Sequence, residues 1–193
     1  MAGRPRQFDI DVAIDAALIL FTEKGYEGAS FAELAKSMGI SPPSFYAAFG
    51  SKEGLFRCAL ERYVAHSRAA IQQSMNEPTA RDAVRHLLLG FAVAVTTHPT
   101  ARGCLLVQGA LVSSDNSAHL RNDLRQAREA MTTVIKRRFE QAALAKDETL
   151  PGDPAHMARL TSMVVAGIAT QAASGVSQAD IIAAVESYIE LFG

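Results

Sequence analysis

Residues 41–52 set Ser41, Ser44 and Tyr46 beside Lys52 in a short and otherwise uncharged stretch. Small hydroxyls, a phenol and an ammonium hold phosphates and touch base edges. Lys52 falls in the first turn of a helix, where its charge opposes the helix dipole, so local stability does not explain it. A phosphate contact, shared with the free N–H groups of the helix start, does. At the N-terminus, Gly3–Arg4–Pro5–Arg6 lies in a basic arm over residues 1–8. Arg4 and Arg6 can enter a narrow minor groove, the alternative being a solvated tail. Bond-breaking chemistry has no comparable support. The chain contains no GxGxxG, GxxxxGK[ST], HExxH or GxSxG pattern. Its five His, at 66, 86, 98, 119 and 156, lack metal-ligand spacing. His98 and Cys104 could share a soft metal only if the chain between them folds back. A capping His and a packed Cys explain the pair more simply, and Cys58 also reads as packing. No cofactor, no metal and no catalysis are expected.

The surrounding residues encode the helices that must hold these groups. Ser30 caps a helix, and Glu33 three positions on completes a capping box. Gly39 stops that helix, because glycine enters the left-handed region at little cost. Ser41 caps the next helix and Pro42 takes its first position, where a missing N–H is harmless. Gly50 ends it, and Ser51 caps the helix that carries Lys52. Two short helices joined by a tight turn predict a helix-turn-helix, with 41–49 as the recognition helix; a plain helical hairpin is the alternative. DNA-facing groups are then Ser30, Ser41, Pro42, Pro43, Ser44 and Tyr46, together with Lys52. Leu34, Ala35, Met38, Ile40, Phe45 and Phe49 read as packing.

Residues 10–56 resemble the DNA-binding domain of the TetR/AcrR family of transcriptional regulators. The resemblance is carried by Ala17–Leu18 with Phe21, Gly25–Tyr26, Ser30, Ile40–Ser41, Phe45–Tyr46, Phe49, Ser51–Lys52–Glu53 and Leu55–Phe56. It implies phosphate contacts from Tyr46 and Lys52, and base edges approached by Pro42, Pro43 and Ser44. It also implies an all-α fold of about nine helices. Residues 1–50 would form the DNA-binding domain, and residues 51–193 a helical domain for effector binding and dimerisation. The chain departs from a frequent family pattern at Ala48, where a His is common.

Composition limits the partners. Formal net charge is −1, so basic groups must be concentrated locally if the protein binds DNA. Two distant Cys exclude a disulfide framework and fit a reducing cytosol. MAGRPRQFD lacks the apolar core of a signal peptide. The longest apolar run, Leu87–Val95, is too short to span a bilayer, so a cytoplasmic protein is expected, with no membrane partner.

Along the chain, apolar spacing predicts a helix from Asp9 to Lys24 with Gly25 as its stop, and further helices over 51–75, 80–97, 102–112, 118–146, 154–174 and from Ser177 onward. Arg121, Arg125, Arg128, Lys136, Arg137 and Arg138 are placed on the solvated face of the seventh helix. The family resemblance implies an effector pocket, for which Phe91, Val95, Cys104, Gln108, Met131 and Ile135 are candidate walls, with few polar anchors. It also implies a homodimer through the last two helices. Ala158, Ser162, Ala166 and Ala169 form a small-residue ridge there, opposite a stripe of Ile181, Val185 and Ile189; closing the monomer core is the alternative. The expected function is a repressor released from a palindromic operator by a small, mostly apolar effector. An activator without a ligand, and a helical carrier or enzyme with a degenerate DNA-binding domain, remain open at this stage.

The recognition helix contains no Arg, Asn or Gln, so bidentate readout of guanine or adenine is unavailable from it. Specificity should come from thymine-methyl contacts by Pro42, Pro43 or Ala47, from Ser44, and from DNA shape. Operators selected in vitro are expected to lack invariant guanines opposite residues 42–44; their recurrence would refute this mode of readout.

Overall fold

The computed structural model describes residues 8–111 and 118–192. Among the described residues there are nine α-helices and no strand. Arg4 and Arg6 lie outside them.

Helix α1 (Ile10–Gly28) begins at Asp9, whose carboxylate accepts from the N–H groups of Asp11 at 2.8 Å and Val12 at 3.3 Å. Its regular turns break at Gly25, where the sequence places the stop. Helix α2 (Phe31–Met38) carries the reciprocal Ser30–Glu33 capping box. Gly39 closes it at φ 64°, ψ 29°, a left-handed conformation that would strain any residue with a Cβ. Helix α3 (Pro42–Phe49) follows after Ile40 and Ser41. Helix α4 (Lys52–Ser74) starts immediately beyond Gly50–Ser51. At Gly54 an added Cβ would stand 2.1 Å from the Phe49 carbonyl oxygen, so a glycine is needed for α4 to lie this close to the end of α3.

Aromatic rings fill the head formed by α1–α3. Phe21, Phe45 and Phe56 are wholly buried. Phe21 meets Phe56 edge-on at 5.1 Å, and Phe31 meets Phe45 at 4.7 Å. Phe56 belongs to α4, so the head is packed against the helix that leads into the body. Arg62, nearly two turns further along α4, donates at 2.8 Å to both the Asp11 carbonyl and the Asp15 carboxylate, and its other nitrogen meets the Asp11 carboxylate. The buried core runs without a break from Phe21 and Phe45 into the body.

The body comprises α5 (Ala80–Thr97), α6 (Leu105–Leu111), α7 (Ala118–Leu144), α8 (Pro154–Ala173) and α9 (Gln178–Ile189), with a final 3-10 turn at Glu190–Phe192. Helix α8 packs on α7, and α9 packs on α5. Helix α6 packs on α7 and on α1 of the head. After α5, the His98 Nδ1 accepts from the N–H groups of Ala101 at 2.9 Å and Thr100 at 3.3 Å, which closes the turn.

Two expectations are corrected here. Ala158, Ala169, Ile181, Val185 and Ile189 are buried inside the protomer and therefore do not form a dimer face. Ser162 and Ala166 are half-buried and line an internal cavity. Helix α9 turns its apolar stripe onto the protomer's own core, whereas α8 buries small residues with Ile168 and leaves Leu160 and Met163 outside. Arg128 and Arg138 also leave the solvated face assigned to them. Arg138 reaches the carbonyls of Glu77 and Pro78, each at 3.0 Å, and Arg128 turns inward to α6. Long guanidinium side chains bend across a helix surface to find such acceptors.

Glu33 accepts from the Lys24 ammonium at 2.5 Å and from the Ser30 hydroxyl at 2.7 Å and N–H at 3.1 Å. These hydrogen bonds, that of Lys24 foremost, draw its carboxyl from 4.5 down to about 2. A depressed folded-state value stabilises the protein fully above about pH 4.5, and that contribution is lost as the pH falls toward 2. Wild-type melting temperature should therefore fall more steeply over this interval than that of Glu33→Gln, as followed by circular dichroism.

Candidate nucleic-acid interface and internal cavity

The recognition helix keeps its polar groups outside. Ser41, Pro42, Pro43 and Tyr46 are exposed and Ser44 is half-buried, while Phe45 beneath them is wholly buried. Tyr46 is 55% exposed, and its ring lies stacked on Phe31 at 5.2 Å with 15° between the planes. The phenol is thus held by its face, with the hydroxyl end free to reach a phosphate. The Ser41 and Ser44 hydroxyls are 3.0 Å apart, so one hydrogen of the pair is available to DNA. Ser30 differs from its expected role. Its hydroxyl hydrogen goes to Glu33, which leaves it no donor for a phosphate.

Lys52 sits with its ammonium 4.6 Å from the centre of the Tyr26 ring. Burial lowers its pKa, and Glu27 opposes that shift. Tyr26 is itself wedged against Phe21 and Phe56 at 6.3 and 5.2 Å. The ring face attracts the cation by about 0.5–1 kcal/mol or more and fixes where it points. Tyr26 and Phe31 are therefore the supports of the two phosphate-binding candidates. Spacing along the chain does not reveal these supports, because both contacts cross between helices.

A cavity of about 650 Å³ opens between α4, α5, α6, α7 and α8. Phe91, Val95, Cys104, Met131 and Ile135 line it, alongside Ile71 and Leu87. Gln108 does not. Its amide nitrogen donates to the Arg102 carbonyl at 3.0 Å and is packed against Gly103. Polar groups are more numerous than expected. The Tyr63 hydroxyl donates to the Cys104 sulfur at 2.9 Å, and burial raises the pKa of both groups. The Thr132 and Ser162 hydroxyls pair at 2.9 Å. Arg159 holds Glu129 through two bonds of 3.0 Å and keeps its carboxyl below the usual range. Arg128 donates to the Leu106 carbonyl at 2.5 Å. Cys104 is a candidate wall from the sequence, but helical periodicity could not have revealed Arg128, Glu129, Thr132 and Arg159, polar residues that an amphipathic pattern places at the surface. Among the described residues, no group of three or more His, Cys, Asp or Glu is arranged to hold a metal. None of their helices is long and apolar enough to cross a membrane.

Residues 13–59 match the family model described as bacterial regulatory proteins, tetR family. The HTH-type transcriptional repressor ComR of Escherichia coli (strain K12) is 32% identical over 178 residues, covering 91% of this chain and 84% of ComR. The chain belongs to the TetR family. BdcR, an HTH-type transcriptional repressor of the same strain, is 36% identical over 55% of each chain. A solved structure of a double cysteine mutant of the TetR family regulator CifR, complexed with 26-bp operator DNA, superposes with a TM-score of 0.91. It is 36% identical and covers 98% of this chain and 100% of CifR. The protein is a DNA-binding transcriptional regulator, and its helix-turn-helix lies within the matched residues.

If Tyr46 and Lys52 of this TetR-family head hold phosphates, their loss acts on every sequence alike. Lys52→Ala should weaken binding by roughly 1.5–3 kcal/mol, the scale of a charge-assisted hydrogen bond. It should also reduce the slope of log affinity against log salt by about one. Tyr46→Phe should lower affinity uniformly with little change in that slope. Fluorescence anisotropy on unrelated duplexes checks both, and unchanged affinity in both variants would remove the assignment.

Proposed function

We propose that the protein is a homodimeric repressor that binds an inverted-repeat operator and is released by a small, mostly apolar effector. The observation that carries this reading is the position of α6. Leu106 and Val107 wall the cavity, while the same helix packs against α1 of the DNA-binding head. A molecule that displaces α6 must disturb α1, and α1 is tied to α4 through Phe56 and Arg62. A preference of about 1–3 kcal/mol for one head spacing suffices to change operator occupancy appreciably. Repression is the described role of the relatives ComR and BdcR, and CifR was solved on its operator. The protein works by binding, with no catalytic step, in the cytoplasm.

The dimer would use the outer sides of α8 and α9. Met163 is 62% and Leu160 43% exposed there. Beside them Val164, Gly167, Gln171, Ala184 and Tyr188 line a shallow groove of about 390 Å³ between the two helices. A second copy seated on this surface forms a four-helix bundle about a two-fold axis. The two recognition helices then meet half-sites about 34–36 Å apart, or a multiple of one turn.

Selection from a random duplex library with the purified protein tests the reading. An inverted repeat with that spacing is the expected product. Enrichment of single half-sites would remove the dimer, and retention of nothing above background at low salt would remove the DNA-binding role of this head.

A further inference from the structure

The charges around the cavity do not balance. Two guanidinium groups line it, Arg128 and Arg159, against one carboxylate, Glu129, and no Asp. Glu129 is already held by both terminal nitrogens of Arg159. His86 also lines the cavity and is engaged by Glu77 at 2.8 Å, a carboxylate from outside the lining. Among the described residues Arg128 makes no ion pair, although the Glu129 carboxylate also feels its charge. Half-buried, its guanidinium donates to the carbonyl oxygen of Leu106 on α6. A main-chain carbonyl supplies a partial charge and occupies one of the five N–H donors of a guanidinium. The rest of the wall near it is apolar, including Phe91, Val95, Met131 and Ile135. A cation in such surroundings gains strongly from an anion that brings its own apolar body.

We propose that the effector is an amphipathic monocarboxylate whose acid group pairs with Arg128 while its hydrocarbon part lies along Phe91, Val95, Met131 and Ile135. This rests on the reading of the cavity as the effector site. A carboxylate matches the one positive charge by which the two guanidinium groups outnumber Glu129, and it can take two guanidinium N–H groups side by side. A doubly charged phosphate would need a second free cation, and Arg159 is occupied. A cationic amphiphile would bury a second positive charge beside Arg128 without compensation. The pairing also has a route to DNA. Arg128 grips the Leu106 carbonyl of α6, and α6 packs against α1, so an acid group that draws the guanidinium away loosens the contact between cavity and head.

Isothermal titration of the full chain with decanoate, decan-1-ol and decylamine tests the assignment. Decanoate should bind about tenfold or more tightly than decan-1-ol, the scale of one charge-assisted contact, and decylamine should bind least. Arg128→Gln should remove that advantage, so that decanoate and decan-1-ol bind alike, and retained decan-1-ol binding also reports that the cavity is still folded. Arg128→Lys should restore part of it. Equal binding of decanoate and decan-1-ol by the wild type, or an unchanged preference in Arg128→Gln, would overturn the role of Arg128 with the cavity reading intact. If none of the three binds, the cavity is no effector site and both readings fail together.

Discussion

The edge-on contact between Phe21 and Phe56 fixes the geometry on which the rest of the molecule depends. It joins the first helix of the DNA-binding head to α4, and α4 starts two residues after the recognition helix ends. Each ring buried there contributes about 1.5–3 kcal/mol of apolar transfer, and the ring pair a further 0.5–1.5 kcal/mol. Tyr26 leans on the same pair and in turn carries Lys52. One aromatic cluster thus decides the position of the recognition helix, the direction of α4 and the aim of the Lys52 ammonium. A change in the tilt of α4 cannot leave the DNA-facing residues where they were.

Electrostatics in this chain is local. A net charge of −1 gives no general attraction to a polyanion, so binding depends on cations held in place. Lys52 is held by the face of the Tyr26 ring, with the Glu27 carboxylate near enough to favour its charged form. Arg128 is held by a main-chain carbonyl at the wall of the cavity. Elsewhere the same residue types are spent on structure. Arg62 ties α4 to α1, Arg138 clamps the turn before α5, and Arg85 meets Glu186 across α5 and α9. Exposed pairs such as the last contribute little stability, but they set the registers of the helices.

Between the two cations stands α6. It is short, and one side faces the cavity while the other faces α1. A short helix has few main-chain hydrogen bonds of its own to resist displacement, so its place depends on its neighbours. Filling the cavity and holding the head are therefore linked through an element with little independent stability.

The head was legible in the sequence because its signals are local. Asp9, Ser30, Ser41 and Ser51 cap helices they adjoin, Glu33 answers Ser30 three residues away, and Gly39 and Gly50 act on their own dihedral angles. Such interactions are complete within a few residues, so the order of the chain determines them. It also determined the buried sides of α2 and α3, where a single neighbouring surface exists. The body is different, because α5, α7 and α8 each have several neighbours and more than one apolar or small-residue stripe. Which stripe of α8 and α9 packs inward, leaving Met163 and Gly167 outside, was decided by the fit against α7 and α5. The inward turn of Arg128, the support of Lys52 by Tyr26 and the meeting of Tyr63 with Cys104 were likewise decided only when distant helices came together. Short-range hydrogen bonds and dihedral preferences act along the chain, whereas the competition among faces for burial is settled by the whole set of helices at once.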